Sequence, residues 1–316
     1  MLLAIAGSCK VNAVEITDPA EAKKDPDFLI QGEYLGEGVT DNGDKIKVGA
    51  QVIALGKGEF AIVGYQGGLP GDGWKRGDKK SEEGTGKTID KVVKISGEGI
   101  EGTIENGTIT ATGPSVKYTL KRVERKSPTL EAKAPAGAKV LFDGTTADNF
   151  EHGKLTKDKN LESEATSKEK FGDYRLHVEF RLSYMPDARG QGRSNSGVYL
   201  HDCYEIQVLD SFGLKGENNE CGGFYSIREP GVNMCFPPLV WQTYDFDFTA
   251  PKYEKDKKVA NARITVKQNG VVIHDNLELP HGTPGREKEG PAPRPFYLQG
   301  HGNKVEYRNI WVEEKK

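Results

Sequence analysis

Asn195-Ser196-Gly197-Val198-Tyr199-Leu200 and, three residues on, Tyr204-Glu205-Ile206-Gln207-Val208-Leu209-Asp210-Ser211 decide the reading of this chain. Both runs alternate as strands do. Alternation puts Glu205 and Gln207 on one face, with Ile206 and Val208 on the other. Desolvating a carboxylate and an amide inside an apolar core is costly, so a face carrying both is expected to line a groove. Paired polar groups in a groove are a usual arrangement for ligand recognition or chemistry.

Other strand signals flank this pair. Tyr174, Leu176, Val178, Phe180 and Leu182 alternate with Arg175, His177, Glu179 and Arg181, predicting one buried and one wet face. Asn269-Gly270 between 261–268 and 271–274 predicts a hairpin, because Asn-Gly suits the two positive φ angles of a type I′ turn. Val305 to Val312 reads as the last strand. Many antiparallel strands over this length imply a two-sheet sandwich. The intervening stretches 211–221, 227–240 and 280–294 are expected to be surface loops over a binding face.

Upstream, residues 14–126 read as a smaller β-rich module. It opens on polar sequence with a helical turn at Pro19-Ala20-Glu21-Ala22. Lys45 to Leu55 and Phe60 to Tyr65 lie at hairpin distance, and short strands follow at 92–95, 100–104, 109–111 and 117–123. Residues 127–138, short side chains with prolines and a lysine, predict an extended linker. The second β region runs from 139 to 316. With 316 residues and 39 glycines, the chain reads as all-β with two domains. The net charge of −3 and a pI of about 6.1 give no signal for nucleic acid or an anionic membrane.

No run is long enough to span a membrane. Met1 to Ala13 reads as the end of a secretory signal with cleavage near Ala13, placing the mature chain in a secreted or periplasmic location. Cleavage would leave Cys203, Cys221 and Cys235. Cys221 and Cys235 bracket one loop, where either a disulfide or buried thiols fit.

Several motifs read as turn chemistry. Gly84-Thr85-Gly86-Lys87-Thr88 ends like a phosphate-binding loop but lacks the first glycine, the preceding buried strand and the following helix, so it predicts a solvated loop. Gly68 to Gly73 and Asn106-Gly107 are turns, and Lys252 to Lys258 is a charged surface turn.

Glu205-x-Gln207-x-x-Asp210 has the spacing of the laminarinase-type Glu-x-Asp-x-x-Glu strand. Gln207 and Asp210 replace the middle and last acids, and without a bulge Asp210 points away from Glu205. His301 sits between Gly300 and Gly302 after Leu298-Gln299, where close approach to a ligand is easy. His201, Asp202 and Glu205 would form a metal corner only if the strand bent.

Asn195-Ser-Gly197, Tyr204-Glu-x-Gln-x-Leu-Asp210, Gly222-Gly-Phe-Tyr225, Trp241-Gln-Thr-Tyr244, Asn269-Gly270, Leu298-Gln-x-His-Gly302 and Arg308-Asn-Ile310 occur in this order. Together they resemble the 3-keto-disaccharide hydrolase domain family over roughly 139 to 315, and in particular a planctomycete-type member. The resemblance implies a concanavalin A-like jelly-roll sandwich acting on glycosides oxidised to a ketone at C3, by hydrolysis or by elimination and rehydration. Such a site needs a base, an acid, and a donor or divalent cation for the enolate oxygen. By position in the resemblance, Glu205 and His301 would be the acid/base pair. Asn195, Gln207 and Gln299 would hydrogen-bond the sugar, with Asp210 also in the binding set. Tyr225 and Trp241 are candidates for stacking a ring, and Arg308 would pair with Glu205 or Asp210. The family usually reads Leu-Gln-Asp-His-Gly where this chain has Gly300. A carbohydrate-binding sandwich and a conventional glycosidase are the alternatives.

Overall fold

The computed structural model describes residues 13–78, 83–97 and 99–315. The expected secretory leader falls on Met1 to Ala13, of which all but Ala13 lie outside the described residues.

Two short helices, α1 (Pro19–Ala22) and α2 (Pro26–Ile30), open the chain. Each starts on a proline, with Asp18 or Asp25 accepting a backbone N–H at the N-cap. Strands β1 (Gly32–Thr40), β2 (Lys45–Gly56) and β3 (Glu59–Gln66) follow. A two-strand ribbon, β4 (Leu69–Pro70) and β5 (Gly73–Trp74), comes next. Then come β6 (Glu83–Ile89), β7 (Val92–Gly97), β8 (Ile100–Glu105), β9 (Thr108–Thr112) and β10 (Val116–Val123). The eight strands other than the ribbon close into an antiparallel barrel, in the order β1-β10-β9-β8-β7-β6-β3-β2. Closure leaves no free edge. Tyr34, Val52, Phe60, Val93, Ile104 and Leu120 fill its interior.

The expected solvated loop at Gly84–Thr88 is in fact β6, paired with β3 and β7. Its inward positions carry Gly84, Gly86 and Thr88 instead of large apolar side chains. A Cβ on Gly86 would lie 2.8 Å from Val93 Cγ1, so the wall itself requires the small residue.

The second half contains β11 (Lys139–Phe142), β12 (Phe150–Glu151), β13 (Leu161–Glu162), β14 (Ala165–Ser167), β15 (Tyr174–Arg181), β16 (Asn195–Leu200), β17 (Tyr204–Leu209) and β18 (Trp241–Thr249). It continues with β19 (Lys252–Glu254), β20 (Lys257–Ala260), β21 (Ala262–Gln268), β22 (Val271–Leu279), β23 (Tyr297–Leu298) and β24 (Glu306–Glu314). A seven-stranded sheet runs β11-β24-β15-β18-β21-β22, with β13 also on β24, and a five-stranded sheet runs β12-β14-β23-β16-β17. Their facing sides share one core of Phe, Tyr, Leu, Ile and Val side chains. This is the expected jelly-roll sandwich. The Asn269-Gly270 turn has both φ values positive, at 51° and 80°, as a type I′ hairpin requires. The charged stretch 252–258 is more than a turn: it forms most of the small ribbon β19–β20, which reverses at Lys255-Asp256.

The outer face of β15 is not wet. Arg175 is exposed, but His177 and Glu179 are fully buried. Residues 127–132 lie across them like a strap. Ser127 Oγ bonds Thr243 Oγ1 at 2.6 Å, Thr129 Oγ1 donates to Asp245 Oδ2 at 2.7 Å, and Glu131 N donates to Glu179 Oε1. His177 Nδ1 sits 2.6 Å from Asp245 Oδ1, and its ring stacks on Trp311. Burial opposes the His177 charge, yet the Asp245 and Glu179 carboxylates outweigh it and raise the imidazole pKa.

The stretches 211–221 and 227–240 are not open surface loops over a site. Phe212, Cys221, Val232, Met234, Cys235 and Phe236 from them are buried in the sandwich core. Cys203, Cys221 and Cys235 are free, buried thiols, so the cysteines do not staple the loop.

Candidate active site

The groove expected around Glu205 is a row of residues in register across the five-stranded sheet. Glu151 on β12 pairs with Thr166 on β14, Thr166 with Tyr297 on β23, Tyr297 with Tyr199 on β16, and Tyr199 with Glu205 on β17. Paired residues on neighbouring strands point to the same side. The segment 222–225 extends the row beyond β17: Ile206 bridges Phe224, and Tyr225 N donates to Glu205 O at 3.3 Å. Tyr225 therefore stands opposite Glu205, partly exposed.

A second row lies two residues along. Gln299 N donates to Gly197 O at 2.8 Å, and Gly197 pairs with Gln207. Gly197 is the floor. A Cβ there would sit 2.6 Å from Glu205 Oε1 and 3.2 Å from Gln299 Oε1. Its missing side chain is the space that the Glu205 carboxyl occupies. Gly197→Ala is expected to lower kcat/KM by about 10²-fold through displacement of that carboxyl, with a small change in Tm, measured by steady-state kinetics and thermal melting.

Glu205 is 4% exposed. Burial pushes its pKa up to about 7, against a smaller opposing effect from the Tyr199 hydroxyl, which donates to Oε2 at 2.8 Å. Its backbone N–H donates to Thr283 Oγ1 at 2.9 Å. Gln299 Nε2 donates to the Tyr199 hydroxyl at 3.3 Å. Gln207 Nε2 and Asn195 Nδ2 both donate to Gln191 Oε1, at 3.1 Å each. The amide oxygens of Asn195, Gln207 and Gln299 are buried and have no partner among the described residues. Buried polar atoms are normally paired, so three orphans on the same sheet face as one raised carboxyl mark a face suited to a hydroxylated ligand.

The 280–294 stretch does cover this face. Gly285, at φ 101°, passes so close to Tyr199 that a Cβ would lie 2.7 Å from its hydroxyl. The next residue, Arg286, is anchored to Asp202 Oδ1 at 2.7 Å and lies 4.0 Å above the Tyr297 ring. A cleft of about 510 Å³ borders Tyr297, Thr166, Arg286 and Asp202.

The other expected site residues are placed differently. His301 is exposed on the turn after β23 and makes no hydrogen bond to Glu205 or to any other described residue. Gly300 abuts Glu164. A Cβ at 300 would lie 2.9 Å from Glu164 Cβ and 3.4 Å from its carboxyl carbon, so an aspartate there would have to displace Glu164. Asp210 turns away from the Glu205 face, with Oδ2 accepting from Arg193 Nε at 2.6 Å in a buried ion pair. Arg308 pairs with neither Glu205 nor Asp210. It lies on the seven-stranded sheet, with Nε donating to Glu179 Oε2 at 2.7 Å and its guanidinium 4.2 Å from Trp241. Trp241 therefore stacks under Arg308 and Arg181, on the sheet opposite the Glu205 face. His201 is turned into the core against Phe248, where burial lowers its pKa to about 4, and makes no metal corner with Asp202. No group of three His, Cys, Asp or Glu side chains among the described residues converges as a metal ion would need. Sequence reasoning did not single out Tyr199, Tyr297 or Arg286 for this face, though alternation through Gly197 pointed to Tyr199.

Residues 137–313, more than half of the chain, match the family described as 3-keto-alpha-glucoside-1,2-lyase-like domain. The chain belongs to that family. A solved structure from Parabacteroides distasonis, named provisionally as a glycosyl hydrolase, is similar at 27% identity and a TM-score of 0.52. The match covers 58% of this chain and 85% of that one. A second protein of the same organism, with the same provisional name, matches at 14% identity and a TM-score of 0.43, over 57% of this chain and 95% of that one. No curated protein matches. The family match begins at residue 137, so the eight-stranded barrel lies outside the 3-keto-alpha-glucoside-1,2-lyase-like domain.

Proposed function

We propose that this protein cleaves glycosides oxidised to a ketone at C3, with Glu205 as the general base that removes the C2 proton. The observation that carries the reading is the Glu205 carboxyl, buried and raised to about 7, on a face that also holds unpartnered buried amide oxygens. The family description and the name given to the Parabacteroides distasonis protein support action on glycosides. The carbohydrate would lie across the row from Glu205 to Thr166.

A C3 ketone acidifies the C2 proton. Glu205 takes that proton and an enolate forms at C2–C3. The C1–O bond then breaks, releasing the aglycone as an alcohol once it receives a proton, which the protonated Glu205 can return. Water added to the resulting enone, at C1 with a proton to C2, gives the free 3-keto-sugar. A carboxyl with a pKa near the working pH suits both halves of this exchange. Arg286, within electrostatic reach of the Tyr199 hydroxyl, supplies positive charge toward the enolate oxygen. His301 remains the rim candidate for the second proton transfer. A conventional retaining mechanism needs a second carboxyl about 5–5.5 Å from the first. The laminarinase-like spacing does not supply it, because Asp210 is held by Arg193. We also propose, from the leader-like N-terminus, that the protein acts outside the cytoplasm.

The test follows aglycone release from a 3-keto-glucoside and from the matching unoxidised glucoside, with and without a chelator. Release from the keto form alone is expected. Release from the ordinary glucoside would make the protein a conventional glycosidase, and sugar binding without release would make it a binding sandwich. With Glu205 as the base, kcat/KM should rise with pH through about 7 and level off above it. A profile falling through that pH would assign Glu205 the acid role instead.

A further inference from the structure

A second cavity, of about 630 Å³, lies between the barrel and the sandwich. The barrel contributes Ile53, Leu55, Ala61 and Val63 from β2 and β3, and the chain after β17 contributes Phe212 and Leu214. Those walls are apolar. Polar residues line the rest: Glu83, Thr85 and Ser96 from the barrel, Arg189 and Lys215, and the end formed by Arg193 and Asp210, the carboxylate that the Glu205 face does not use.

Arg193 is 5% exposed. Its Nε is held by Asp210, and its Nη1 donates to Ala54 O at 3.3 Å. Its Nη2 is buried with no acceptor among the described residues. A buried guanidinium edge without an acceptor is costly, and such edges are the usual readers of carboxylates. Arg189 lines the same cavity, already bonded to the carbonyls of Pro186, Ala188 and Leu55. Burial, and then repulsion from Arg193, lowers its pKa. Lys215 and Glu83 complete the charged lining, so three cations face two carboxylates, one of which is committed to Arg193.

We infer that this cavity binds a small amphipathic monocarboxylate. Its hydrocarbon body would lie among Ile53, Leu55, Ala61 and Phe212, and its carboxylate would accept from Arg193 Nη2. The volume falls within the roughly 300–1,000 Å³ range of small-molecule pockets. Asp210 and Glu83 disfavour a dianion such as phosphate, and the surplus positive charge disfavours an amine. The site stands apart from the Glu205 face and does not depend on the reaction assigned there.

The test is calorimetric titration of the full chain with octanoate, 1-octanol and octylamine, which share one body. Octanoate should bind one equivalent, 1-octanol about tenfold more weakly, and octylamine not at all. Ala61→Phe, which fills the cavity from the barrel wall, should abolish octanoate binding. Arg193→Lys should reduce octanoate to the affinity of 1-octanol; should that variant not fold, Ala61→Phe decides. Absence of octanoate binding, equal binding of all three probes, or octanoate binding unchanged in Ala61→Phe would overturn the inference.

Discussion

Glu205→Gln should reduce turnover of a 3-keto-glucoside by about 10²–10⁴-fold while leaving sugar binding in place. The amide preserves the shape of the side chain and can still accept from the Tyr199 hydroxyl, but it takes no proton at neutral pH. Stability should move the other way. The folded-state pKa of about 7 lies above the ordinary 4.5, so the folded protein holds this proton more tightly than the unfolded chain. Its contribution to stability therefore falls as pH rises from about 4.5 through 7, where ionisation must be accommodated in a buried site. The variant lacks that loss. Denaturant melts at pH 5 and pH 8 should show the wild type losing stability relative to Glu205→Gln at the higher pH. A variant that lost turnover and stability in equal measure at both values would show Glu205 to be a structural residue.

Glu179→Ala should be the most damaging single change to stability, at about 3–5 kcal/mol, with kcat/KM of the remaining folded protein unchanged. Glu179 is fully buried. It accepts from Arg308 Nε, Asn309 Nδ2 and the Glu131 backbone, and it lies beside His177. These hydrogen bonds and positive charges hold its carboxyl below the ordinary range even though burial acts in the opposite direction. Removing it leaves the His177–Asp245 pair and the Arg308 guanidinium without their common partner and unlatches the strap at Glu131. Urea denaturation reads the loss directly. A Glu179→Ala protein with normal stability but impaired turnover would mean that the seven-stranded sheet, and not the Glu205 face, carries the chemistry.

The contrast between these two glutamates shows what strand alternation can and cannot tell. Alternation put both on the polar face of a strand, and both are buried. For Glu205 the cover is a loop and a rim that leave amide oxygens unpartnered. For Glu179 it is residues 127–132, the start of a stretch whose proline and short side chains read as an extended linker but whose backbone and hydroxyls bond back onto the sheet. Burial that comes from a distant segment leaves no local periodicity to read. β6 was hidden for another reason: Gly86 stands where a strand pattern would carry an apolar side chain, because a Cβ there would lie 2.8 Å from Val93 Cγ1 on the neighbouring strand. Asn106-Gly107 and Asn269-Gly270 were legible because the turn geometry is fixed by those two residues alone. Asp210 and Arg308 were misplaced because their partners, Arg193 and Glu179, are distant in sequence or on another strand, and only the sheet register brings each pair together. Tyr225 reached the site through an edge pairing that no hydrophobic pattern marks.

The most direct measurement of the central claim follows the C2 position. The cleavage of a 3-keto-glucoside is run in D2O, and the free 3-keto-sugar is analysed by mass spectrometry and NMR. Product incubated with Glu205→Gln corrects for spontaneous exchange. Proton abstraction by Glu205 followed by rehydration predicts deuterium at C2 beyond that background. Product released at a normal rate with C2 still fully protonated would contradict the account, because cleavage would then proceed without breaking the C2–H bond.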